Sequence, residues 1–182
     1  MRQVVFVGLA VVAVASRSVA QDPGQMPRPG KEHAWLEQLA GEWESHAEAL
    51  AGPNNWVKTK GSEKGRMHGG FWLIAEGETD MMGMKVKSVF TLGFDTDKKK
   101  YIATWVDNCL PHMWTYEGTL GPSGKVLTLE TEGPNLLTPG KTAKFREVIT
   151  LVSPDEKTFT SSMQGDDGQW ITFVRATYKR KK

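Results

Sequence analysis

The chain has 182 residues, 39% of them hydrophobic, with 23 Lys and Arg against 21 Asp and Glu, a formal net charge of +2, and a single cysteine. Such a balance excludes a binding surface for polyanions built on bulk charge, so no nucleic-acid partner is expected. Cys109 has no second cysteine to pair with, so the fold must rest on its core rather than on a disulfide.

The first residues have the pattern of an export signal: Arg2 supplies the charge, Val4 to Ala15 is an unbroken apolar run, and Ser18-Val19-Ala20 is a small-residue cleavage site. Cleavage after Ala20 is expected, giving an exported, periplasmic or secreted protein. That run is shorter than the roughly 20 residues a membrane-spanning helix needs, and no later stretch approaches that length. No cysteine follows the cleavage site to carry a lipid, and removing Arg2 and Arg17 leaves the mature chain formally neutral.

Residues 21–31 form an extended lead-in, since Pro23, Pro27 and Pro29 with Gly24 and Gly30 oppose regular structure. His33 to Ala40 then places Leu36, Leu39 and Ala40 on one face of a short helix, with Gly41 suited to end it. Two turns of helix are not stable alone, so this segment must pack on something.

Everything after it alternates. Met84, Val86, Ser88, Phe90, Leu92 and Phe94 fall on one face, with Lys85, Lys87, Thr91 and Asp95 on the other, the period of a sheet with one wet side. Strands are expected near 42–50, 57–68, 71–80, 84–94, 99–107, 112–120, 125–132, 142–152, 157–164 and 169–180. Turn formers such as Gly52-Pro53-Asn54-Asn55, Gly69-Gly70 and Gly165-Asp166-Asp167-Gly168 separate them, and short connections make neighbours antiparallel. About ten strands without a second helix must form a sandwich or close on themselves; closure removes the exposed edges, and no connection is long enough for crossovers between sheets. The expectation is one domain over 32–182, an all-β antiparallel up-and-down barrel with the helix plugging one end.

Gly41-Glu42-Trp43 directly after a helix resembles the Gly-x-Trp signature that opens the first strand of lipocalins and their calycin relatives. The wider chain is more specific: "EHAWLEQLAGEWE" (Glu32 to Glu44), "GGFWL" (Gly69 to Leu73), "MMGM" (Met81 to Met84), "TLGFDTDKKKYIATWVD" (Thr91 to Asp107), "YEGTL" (Tyr116 to Leu120), "REV" (Arg146 to Val148) and "YKRK" (Tyr178 to Lys181). Together they resemble the exported bacterial family known as domain of unknown function 1579, across essentially the whole mature chain. The resemblance implies a calycin-like barrel and brings no catalytic residues, because the family's activity is not established. It also implies that the signature tryptophan packs across the closed end with a basic residue of the last strand over its ring, an arrangement worth about 0.5–2 kcal/mol. Arg175 and Arg180 lie on opposite faces of that strand, so one alone can serve. The expected pair is Trp43 and Arg180, the latter sharing a face with Trp170, Val174, Ala176 and Tyr178. Near Trp170 and Thr172 the family commonly has a carboxylate and a lysine, and this chain departs from that pattern.

Direct signs of chemistry are few. His33, His46, His68 and His112 show no metal-ligand spacing, so no metal or other cofactor is expected. His112, after Pro111 and ahead of Met113 and Trp114, is the weak candidate for a haem ligand, because some calycin-like barrels hold haem. Pro139-Gly140-Lys141-Thr142 leads into a strand where a phosphate-binding loop needs a helix, and no Gly-x-Ser-x-Gly elbow occurs. Paired acids at Glu76/Glu78 and Glu130/Glu132 read as solvated faces, except that Glu76 shares a face with Trp72 and Ile74 and could point inward, toward Arg146 or Arg175 as partner. Cys109 reads as a small buried side chain. The seven tryptophans are the remaining signal, and they suit either a packed core or the wall of a lipophilic pocket. The first reading is therefore a non-enzymatic barrel binding a small hydrophobic or amphipathic molecule, with Trp72, Glu76, Trp105, Trp114, Arg146 and Tyr178 as lining. A filled barrel serving as an envelope protein-interaction module is the alternative, and a haem-binding barrel or an enzyme stands behind both.

Overall fold

Alternation of apolar and polar residues commits each segment to a strand with one dry face, and ten such strands bury their dry faces best by curling around a common axis. The computed structural model describes residues 26–81 and 83–182. The expected export signal, residues 1–20, lies outside the described residues, as do residues 21–25 of the lead-in. A helix α1 (Lys31–Glu37) precedes β1 (Gly41–Gly52), β2 (Asn55–His68), β3 (Trp72–Met81), β4 (Met84–Asp95) and β5 (Lys100–Asp107). Then follow β6 (Trp114–Leu120), β7 (Val126–Pro134), β8 (Thr142–Ser153), β9 (Glu156–Gln164) and β10 (Trp170–Arg180). Each strand pairs antiparallel with its neighbours in sequence, and β1 pairs with β10, so the sheet is a closed up-and-down barrel. The strands fall within about three residues of their expected limits, as boundary reading allows.

Helix α1 starts two residues earlier than the apolar spacing suggests. His33 turns back so that its Nδ1 accepts the Gly30 N–H at 2.9 Å, which satisfies one of the open donors at the helix start. After Glu37 the chain tightens into a turn, with Leu39 N–H donating to Leu36 O and Ala40 N–H to Glu37 O. Gly41 then redirects the chain into β1 at φ +112°, a conformation a side chain would resist. Leu36 and Leu39 are fully buried and, with Trp35, pack among Leu73, Leu92, Tyr101, Leu127 and Leu129. Trp35 Nε1 donates to Gly124 O of the β6–β7 turn at 2.9 Å, and Tyr101 donates from β5 to Glu32 O. The helix thus closes one end of the barrel with the larger part of the core, and among the described residues no second helix closes the other. Among the described residues no helix is long and apolar enough to cross a membrane.

One register shift matters for what faces inward. In β10, Thr172 pairs with Ser162 and Val174 with Ser161, so Phe173 is an extra residue. Such a bulge reverses the inside–outside parity of everything before it relative to everything after. Trp170 therefore lies on the outer wall, where the Arg146 guanidinium sits 3.9 Å from its ring centroid, while Val174, Ala176 and Tyr178 face the interior. Expecting Trp170 and Arg180 on one face is thus corrected by the bulge.

Candidate functional site

The closed end is sealed by a stack that the register assembles. Trp43 stands opposite Arg180 of β10 on one side and Glu63 of β2 on the other, and Tyr178 stands opposite Lys157 of β9. Directly opposed residues share a face, so all five side chains meet at the barrel floor. Trp43 is completely buried and donates its indole N–H to Leu39 O at 3.0 Å. The Arg180 guanidinium carbon lies 4.0 Å from the Trp43 ring centroid. Its Nη1 donates to Ala40 O at 2.6 Å, Nη2 to Gln38 O at 2.9 Å and Nε to Pro154 O at 2.9 Å. One side chain thereby satisfies open carbonyls after α1 and ties the plug to the last strand. Gly41 is also the residue that makes room: a Cβ there would collide with Arg180 Nη1.

Beside this latch lies a buried ion pair. Lys157 Nζ is 2.5 Å from Glu63 Oε1, and both side chains are largely withdrawn from solvent. The same ammonium lies 4.6 Å from the Trp43 ring centroid and 4.9 Å from that of Tyr178. Burial holds the Lys157 ammonium below its ordinary range, and Glu63 opposes that shift.

Above the floor the barrel is hollow. A cavity of about 520 Å³ runs from Leu39 to the end opposite α1. One wall, on β1 to β3, carries small inward side chains, among them Ser45, Ala47, Ala49, Thr59 and Thr79; the rest of the wall, on β4 to β10, carries Phe90, Trp105, Trp114, Phe145, Phe159 and Phe173. Small residues facing large ones across a ten-strand barrel leave space that side chains do not fill. Leu110 and Leu136 line the mouth. Met84, Met113 and Leu137 lie on the same loops or strand ends and are exposed, Leu137 to 71%.

Of the residues expected as lining, Trp105, Trp114 and Tyr178 face the cavity. Trp72, Glu76 and Arg146 do not, which corrects their assignment to the lining. On β3 the inward positions are the odd ones, led by Leu73 and Ala75, so Trp72 is 40% exposed and lies flat against Gly93 of β4. Glu76 falls in an outer groove with Glu42, Lys64 and Lys87. Arg146 faces outward and pairs with Glu130 at 2.8 Å, so neither it nor Arg175 reaches Glu76; Arg175 bonds Glu48 instead. His112 is not among the lining residues; its ring packs edge-on against Trp114 at 4.7 Å. Among the described residues no group of three or more His, Cys, Asp or Glu side chains is placed to hold a metal ion. Cys109 is exposed at the cavity mouth rather than buried, and desolvation followed by the charge of Asp107 pushes its thiol up, away from a reactive thiolate.

Sequence reading overlooked the most distinctive group, Glu147. It sits on the inward face of β8 between Phe145 and Ile149, is only 8% exposed, and lines the cavity. Its cross-strand neighbours are Leu129 of β7 and Ser161 of β9. Leu129 offers no donor. Ser161 donates to Oε1 at 2.8 Å, and Oε2 has no partner. Burial pushes the carboxyl up to about 8, with the Ser161 hydrogen bond opposing. Burial and this neighbouring charge push the Tyr116 hydroxyl up as well. The available signal was parity: in Phe145, Glu147, Ile149, Leu151 a lone acid interrupts an apolar face.

With the barrel and its latch described, the comparison with known proteins is direct. The family model for proteins of unknown function DUF1579 matches residues 28–180. The chain belongs to this family. DUF1579 carries no assigned activity, and no curated protein matches the chain in sequence. Among solved structures, Rv2717c from M. tuberculosis is similar with a TM-score of 0.60 and 13% identity, over 85% of this chain and 100% of that one. The S-type phycobiliprotein lyase CPES from Guillardia theta is similar with a TM-score of 0.52 and 16% identity, over 85% of this chain and 99% of that one. At such identities the likeness is one of fold alone, in keeping with the closed antiparallel barrel of this DUF1579 member.

Proposed function

We propose that this DUF1579 protein is an exported, non-enzymatic carrier or receptor that binds one small, largely apolar molecule inside its barrel. The observation that carries the reading is the cavity of about 520 Å³, closed by α1 at one end, open at the other, and walled by aromatic rings with a few polar groups. The exposed apolar side chains on the mouth loops support it, since they offer a water-shunning molecule a path of entry. Export rests on the charged, apolar and small-residue pattern of residues 1–20.

The test is native against denaturing mass spectrometry of the protein purified from the exported fraction of its own cells. A mass excess in the native spectrum that disappears on denaturation is expected and identifies the ligand class. Identical masses, with no shift after incubation with a pooled lipid extract, would sink the reading and favour a module for protein interaction. N-terminal sequencing of the same sample checks export; a chain that still begins at Met1 contradicts it.

A further inference from the structure

We infer that the ligand is an amphipathic amine, its apolar body among the aromatic rings and its ammonium donating to Oε2 of Glu147. The inference rests on the cavity being a binding site and adds the chemical class of what it binds.

The charged groups lining the cavity are Glu63, Asp107, Glu147 and Lys157. Glu63 and Lys157 neutralise each other at 2.5 Å. Asp107 is occupied: Oδ1 accepts the backbone N–H groups of Cys109 and Leu110, and Oδ2 accepts the Trp105 indole N–H at 3.0 Å. Among these groups Glu147 alone has a buried oxygen without a partner, and its flanking residues cannot supply one, because Leu129 is apolar and Ser161 already donates to Oε1. Ionised without a donor, that oxygen would carry an unanswered buried charge, which is why the carboxyl holds its proton. A cation bound beside Oε2 reverses that balance: the carboxyl releases its proton to water and accepts an N–H from the ligand.

Charge and surroundings choose between donors. The one cation lining the cavity, Lys157, is already paired with Glu63, so a carboxylate head group finds no counter-ion there. A cation gains the carboxylate as counter-ion and also the faces of the aromatic wall, which Phe90, Trp105, Trp114 and Phe145 supply. An ammonium meets both conditions, an alcohol gains only the hydrogen bond, and a fatty acid gains neither a counter-ion nor a cation–aromatic contact.

The experiment titrates the full chain with three probes of equal chain length, decylamine, decanol and decanoate, following tryptophan fluorescence. Decylamine is expected to bind at least about tenfold more tightly than decanoate. In Glu147→Gln, which keeps the side-chain volume, its advantage over decanol should disappear while decanol itself changes less than about threefold. Glu147→Met serves as a second variant and should behave alike. An amine preference that survives in both variants, or decanoate binding as tightly as decylamine, overturns the assignment. Equal binding of all three probes overturns it while leaving the cavity reading intact; binding of none overturns both.

Discussion

Replacing Glu147 by Gln tests the buried carboxyl without any ligand. Its folded value of about 8 against an ordinary 4.5 means that the folded protein holds this proton where the unfolded chain has released it. The sign follows. Below pH 4.5 both states are protonated and the group costs nothing; as pH rises through the interval the unfolded chain gains, and above pH 8 the loss is complete. At about 1.4 kcal/mol for each tenfold ratio, the loss reaches about 5 kcal/mol, an upper bound because water entering through the mouth shares the charge. The groups facing the carboxyl are Ser161, which moderates the shift, and Tyr116, which stays neutral throughout this window. Urea unfolding followed by tryptophan fluorescence at intervals from pH 4 to 9 gives the stability of each protein. The variant should gain on the wild type steadily between pH 4.5 and 8, and the difference between them should be flat outside that window. Parallel profiles, with a difference that changes by less than about 1 kcal/mol, would show that the carboxyl is solvated and that the reasoning from burial is wrong.

Three other perturbations examine the floor and the cavity. Arg180→Ala removes three main-chain hydrogen bonds and the cation over Trp43, and should cost about 2–4 kcal/mol in the same unfolding assay; Arg180→Lys should recover only part, since one ammonium cannot reach three carbonyls. Lys157→Met strands Glu63 beside the buried Trp43 ring and should cost about 3–5 kcal/mol, whereas adding Glu63→Leu should restore most of it; equal losses in single and double variants would argue against a coupled pair. Ala47→Phe places a ring in the hollow from the small-residue wall, so decylamine binding should weaken by more than about tenfold while the unfolding midpoint holds; unchanged affinity would move the binding site elsewhere.

How much of this was written in the chain depends on the range of the physics involved. Period-two alternation is local, so the strands, their turns and the short helix were legible, and ten antiparallel strands with no cover left closure as the solution. The Gly41-Glu42-Trp43 opening and a basic partner on the last strand were legible through the resemblance to calycin barrels, and parity served only to separate Arg180 from Arg175. The site was legible only in part. Trp105, Trp114 and Tyr178 face the cavity, whereas Trp72, Glu76 and Arg146 face away from it, because a strand read in isolation shows two faces without showing which one is inside. On β3 that choice fell to Leu73 and Ala75, and on β10 the bulge at Phe173 turned Trp170 outward.

Sequence alone therefore determined the elements, their order and the kind of surface each could bury, since these depend on neighbours a few residues apart. Only the tertiary structure decided that small side chains on β1 to β3 face large ones across the barrel and leave it hollow. It alone left Glu147 inside that hollow with one oxygen unanswered, because cross-strand register sets which groups meet, and Leu129 and Ser161 are the groups that meet it.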